Sequence, residues 1–158
     1  MTKERKQEYT LKITNASPTG IIVILYDLAI EYIDSAKECF AAGDHEGARL
    51  QCTNAGRVLG DLIQSLDFSY EISYPLFRIY EYASKELSMA VIRNDGSALD
   101  DIKRLLTEMK GSFEELAKKD TSGPAMTNAQ SVYAGLTYGK GTLNESTSDP
   151  SGNRGYTV

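Results

Sequence analysis

One histidine, two cysteines and no clustered excess of lysine or arginine mark this chain of 158 residues, and each scarcity removes a class of function. His45 stands in a Gly-Asp-His turn with nothing nearby in sequence to orient it for proton transfer. Helical proteins that hold two metal ions need Glu-x-x-His pairs facing inward, and a single histidine cannot supply them. Cys39 and Cys52 are too few and too oddly spaced for a disulfide framework or a zinc site, so they are expected as buried thiols in a reducing compartment. There is no Gly-x-x-x-x-Gly-Lys-Ser/Thr loop, nucleophile elbow or Cys-His pairing. No catalytic, cofactor-binding or metal-ligating residue is therefore expected, and the chain does not read as an enzyme.

The net charge of -5 argues against nucleic acid, whose phosphates call for clustered cations. Lys3, Arg5 and Lys6 form the one basic group; mixed with Glu4 and Glu8, it reads as a solvated end. A long hydrophobic run is also missing, because Asp27, Glu31 and Asp34 interrupt the apolar stretch well short of the roughly 20 residues a membrane span needs. No membrane insertion and no secretory leader are expected. The row of Asp27, Glu31 and Asp34 itself reads as the solvated face of a helix.

What is present is helical periodicity. Ser17-Pro18 pairs a capping side chain with a proline suited to the first helical position, and Ile21, Leu25, Leu28, Tyr32 and Ala36 follow at helical spacing to Ala41-Ala42-Gly43-Asp44. Ala48, Cys52, Ala55, Leu59, Leu62 and Leu66 form a second seam, and Ile72, Leu76, Ile79, Ala83, Leu87 and Ala90 a third that stops at Asn94-Asp95-Gly96. Ser97 with Asp100 reads as a capping box before a fourth seam of Leu99, Ile102, Leu106, Met109, Phe113 and Leu116. The expected fold is all-α, an antiparallel up-and-down four-helix bundle over 17–119. Residues 1–16 form an N-terminal segment, and 120–158, rich in Gly, Ser, Thr and Asn, a tail that is flexible or docked.

The first helix has more apolar residues than one core uses. Ile21-Ile22-Val23-Ile24-Leu25 runs most of the way round it, which leaves Ile22, Val23, Ile24 or Tyr26 partly outside its seam. The third helix carries Tyr74, Phe77, Tyr80 and Tyr82 beyond its own. Such a surplus needs a cover. The N-terminal segment, the tail or a second copy of the chain can provide it, and so can an amphipathic partner helix lying in a groove. The small residues Ala55 and Gly56 would let another helix approach closely.

The order Tyr9, Ile13-Thr14-Asn15-Ala16-Ser17-Pro18, Ile21 to Leu25 and Tyr26-Asp27 resembles the flagellar secretion chaperone family FliS. Ser65-Leu66-Asp67, Ile79-Tyr80-Glu81-Tyr82 and Asn94-Asp95 continue the resemblance over residues 9 to 118. Departures are Asn15 for Thr, Leu28 for Gly, Val91 for Asn, Phe113 for Trp, and the long tail. The resemblance implies a cytoplasmic, non-enzymatic export chaperone without cofactors. It would bind the C-terminal segment of flagellin, prevent premature polymerisation and hold the client for type III export, with the export gate as a further partner. The expected client-binding set is Tyr9, Ile13, Ile22, Ile24, Tyr26, Ala55, Gly56, Leu76, Phe77 and Tyr80, with Tyr9 and Ile13 acting as cover when no client is present. The chain would then be a monomer or a weak homodimer; a structural protein that homodimerises through its apolar surface is the alternative.

Overall fold

A computed structural model of the chain describes residues 3–126, and these form five α-helices with no strand among them. They are α1 (Lys3–Asn15), α2 (Pro18–Ala41), α3 (His45–Gln64), α4 (Ser73–Arg93) and α5 (Leu99–Ala117). Most of the expected tail, 127–158, lies outside the described residues. The four helices expected from periodicity are α2 to α5, and α1 is additional. No helix among the described residues is long and apolar enough to cross a membrane.

α2 is the hub. It packs against α3 and against α5, α4 lies on α3 and meets α5 more sparsely, and α1 touches α2 lightly. Lys110 pairs with Asp27 at 2.6 Å, Lys103 with Asp34 at 2.7 Å, and Lys37 with Asp100. Residue numbers rise along α2 as they fall along α5, so the two helices are antiparallel. Two of the acids expected on a solvated face therefore bind a neighbouring helix. These pairs are about 25–70% exposed, so each contributes little stability and their main effect is on alignment.

The start of α2 forms as its sequence dictates. Ser17 is extended, its hydroxyl accepts from the Gly20 N–H at 3.1 Å, and Pro18 loses no hydrogen bond at the first helical position. Gly43, at φ +73°, makes the turn that Asp44 then caps by accepting from the Gly47 N–H at 2.9 Å. α4 ends on Asn94 in the left-handed region, φ 58°. The capping box expected at Ser97 is absent: Asp95 accepts from both the N–H and the hydroxyl of Ser97, each at 2.9 Å, and α5 begins without a side-chain cap. The Asp95 turn has taken the side chain that the cap needed.

The seams of α3 and α5 bury much as their spacing predicts: Cys52, Ala55, Leu59 and Leu62 share one core with Leu99, Ile102 and Leu106, and Ala48 is buried as well. Leu116, at the far end of the α5 seam, is 53% exposed. On α2 the fully buried line is Tyr26, Ala29, Ile33 and Ala36, turned about one residue, roughly 100°, from the expected Leu25, Leu28 and Tyr32. The reason is that α2 is flanked on two sides, so its midline between α3 and α5 is driest while Leu25, Leu28 and Tyr32 pack at the margin. Ile72, placed in the α4 seam by spacing, precedes the helix and is 63% exposed.

Gly60 sits inside α3 with open space where a Cβ would project. Gly60→Ala is expected to stabilise the fold by about 0.5–1 kcal/mol, because alanine costs less backbone entropy in a helix. A urea titration at constant m-value checks it.

Candidate functional site

All five residues of the aliphatic run are half-buried. Ile22 and Leu25 pack on the core, whereas Gly20, Val23 and Ile24 line a cleft with Glu114 and Ala117 of α5 and Lys118 just after it. The cleft between them holds about 490 Å³ and is walled mainly by carbon. A second cleft, of about 560 Å³, lies between α3 and α4, with Gly56 and Leu87 along it and Val91 and Ile92 at one side. Ile92 is 75% exposed, the most exposed large hydrophobic residue among those described. Both clefts are shallow troughs between helices, a form that suits apolar side chains presented at helical spacing.

Of the other residues expected at a client site, Leu76 and Tyr80 line one small pocket together with Ile22, while Tyr26 and Ala55 are fully buried. Tyr26 and Tyr80 lie in the core with their hydroxyls hydrogen-bonded to each other, and Tyr26 also packs on Phe113 at a centroid distance of 5.6 Å. This corrects their placement outside the seams: a tyrosine can fill a core when a second hydroxyl satisfies its own. Ala55 is fully buried, so the helix it admits is one of the chain's own, while its neighbour Gly56 remains on the open α3–α4 cleft. Leu76 is buried, and Phe77 is half-buried against Phe68 at 5.9 Å. Ile92 was missed because the surplus on α4 was counted only at aromatic positions, although it lies about five helical turns beyond Tyr74 and so on the same face. Its signal is an isoleucine on the far side of the Leu87–Ala90 seam.

Tyr9 and Ile13 lie on α1, buried and half-buried respectively. The Tyr9 hydroxyl donates to Glu31 at 2.8 Å, and the Arg5 guanidinium donates to the same carboxylate at 3.2 Å. Arg5 and Lys12 flank the Tyr9 ring, 5.5 and 5.4 Å from its centroid. Burial, followed by the bond to Glu31, pushes the Tyr9 hydroxyl well above its ordinary pKa, so it remains a donor at neutral pH. Glu31, expected on a solvated row, and Arg5, expected at a solvated end, thus fasten α1 to α2. After α5 the chain returns to the joint between these helices: Asp120 accepts from the Thr19 N–H at 3.2 Å, and the Ala125 N–H donates to the Ala16 carbonyl at 2.9 Å. The Ser122 hydroxyl, then the contact from Thr19, hold the Asp120 carboxyl well below the usual carboxylate range.

Among the described residues no three His, Cys, Asp or Glu side chains are grouped to hold a metal ion. The arrangement is a set of apolar troughs on a helical scaffold, with one short helix latched beside them. A family model described as "Flagellar protein FliS" matches residues 1–120. The flagellar secretion chaperone FliS of Bacillus subtilis (strain 168) is 20% identical over 108 residues, 68% of this chain and 81% of that protein. A match that spans all five helices, from the latched α1 to the strap after α5, shows that the chain belongs to the FliS family of flagellar proteins.

Proposed function

We propose that the chain is a cytoplasmic flagellar secretion chaperone that binds the C-terminal helical segment of flagellin, prevents its premature polymerisation and delivers it to the export gate. The observation that carries this reading is the pair of open apolar troughs, beside Val23 and Ile24 and beside Gly56 and Ile92, on a chain of the FliS family. Helices α2 to α5 act as an up-and-down bundle, and α1 covers part of the client surface until the client arrives.

The energetics suit the role. Each aliphatic anchor buried in a trough contributes about 1.5–3 kcal/mol, so three or four anchors can support micromolar to nanomolar binding once the client's ordering cost is offset. A disordered client that folds as it binds presents a large surface at moderate affinity, which favours release at the gate. Tyr26, Tyr80 and Ala55, buried in the core, support the fold rather than touch the client.

Titration calorimetry with a peptide from the C-terminal end of the same organism's flagellin tests the reading. One-to-one binding is expected, weakened about tenfold or more by Val23→Asp or Ile92→Asp, which remove an apolar contact at half-buried and exposed positions. A folded wild-type chain that does not bind the peptide would overturn the proposal.

A further inference from the structure

The loop from Ser65 to Ile72 joins α3 to α4 and has a defined shape although it is exposed. The Ser73 hydroxyl donates to the Asp67 carbonyl at 2.6 Å, the Ser69 N–H donates to the Asp67 carboxylate at 2.9 Å, and the Ser73 N–H donates to the Tyr70 carbonyl at 3.1 Å. Phe68 packs edge-on against Tyr74 at 5.3 Å and against Phe77 at 5.9 Å. A loop braced in this way would ordinarily turn its apolar side chains inward. Instead Tyr70, Ile72 and Tyr74 are 66%, 63% and 58% exposed.

Below Tyr70 and Ile72 a pocket of about 180 Å³ opens between Ile22, Leu66, Leu76 and Phe113. Sites for small molecules run to roughly 300–1,000 Å³, so this one is scaled to a side chain. The chain segment that rims it carries charge of one sign: between Arg57 and Arg78 there is no lysine or arginine, while Asp61, Asp67 and Glu71 are all exposed. An exposed tyrosine and isoleucine, Tyr70 and Ile72, at a small apolar socket have the make-up of an interface hot spot, and the acidic border selects the charge of what enters.

We propose that the α3–α4 loop is a docking site for a protein segment that carries an aromatic or long aliphatic anchor flanked by lysine or arginine. The anchor fills the socket between Ile22, Leu66 and Phe113, Tyr70 and Ile72 exclude water around it, and the basic flanks lie against Asp61 and Glu71. This surface is separate from the two troughs assigned to flagellin, so a chaperone loaded with client keeps it available for a second partner.

A random 12-residue peptide library displayed on phage, selected on the full chain, tests the chemistry directly. Sequences with one aromatic or aliphatic anchor between basic residues are expected to be enriched. Their synthetic versions should bind at least tenfold more weakly to Tyr70→Ser and to Asp61→Lys/Glu71→Lys, all at exposed positions and checked for folding by circular dichroism. Rising salt should weaken binding, and amide shifts should change along 65–77. The flagellin peptide should bind these variants as it binds the wild type. Enrichment of acidic or charge-independent sequences, shifts confined to the troughs, or loss of flagellin binding in the loop variants would overturn the proposal. So would a dimer of the wild-type chain that Tyr70→Ser dissociates, since a second copy would then be the occupant.

Discussion

Tyr26→Ala is expected to cost about 3–5 kcal/mol of folding stability, the range for removing a large aromatic ring from a closed core. Tyr26 is fully buried, packs on Phe113 and Tyr80, and holds the buried Tyr80 hydroxyl. The cavity and the orphaned hydroxyl act together, and the two can be separated. Tyr26→Phe keeps the ring but leaves Tyr80 without its partner, at a cost of about 1–3 kcal/mol, whereas the double change to phenylalanine removes both hydroxyls and should recover most of that loss. Urea denaturation of the four proteins closes the cycle; additive single effects would show that the two hydroxyls are not coupled. Tyr26→Ala should lose client binding together with its fold, while Ile92→Asp should lose binding with its fold intact.

Tyr9→Ala should release α1 while α2 to α5 stay folded. α1 meets the rest of the fold lightly, and Tyr9 is its one buried residue among those whose burial is described. Removing that burial and the bond to Glu31 is worth about 2–3 kcal/mol in the local equilibrium, roughly a 30- to 150-fold fall in amide protection along residues 3–15. Hydrogen exchange with the core amides of α3 as internal reference is the measurement, and the flagellin peptide should bind the variant more tightly if α1 competes for its surface. Unchanged protection in α1 would mean that contacts other than Tyr9 hold it.

Where apolar residues recur once per turn, spacing alone located the core: the α3 seam from Ala48 to Leu62 is buried as read. α2 defeated the same rule because Ile21 to Tyr26 are apolar without a break, so spacing cannot choose the stripe, and packing between α3 and α5 brings Tyr26 inward and leaves Leu25 at the margin. A hydroxyl pair such as Tyr26 with Tyr80 joins residues 54 positions apart, and no local pattern announces it. α1 was hidden for a related reason. Its charges look solvated until Glu31, 22 residues beyond Tyr9, is seen to accept from it. Of the candidate site, the surplus on α2 was legible, and its division between trough, core and α1 contact was not.

The three ion pairs between α2 and α5 also work as an error check. Two place the acid on α2 and the third places it on α5, with Lys37 opposite Asp100. If α5 slid by three residues in one direction, Lys37 would come against Lys103; the same slide the other way would set Asp34 against Asp100. Either misalignment exchanges attraction for like-charge repulsion at the same rung, so helices whose apolar stripes would tolerate a one-turn shift are refused it by the mixed order of their charges.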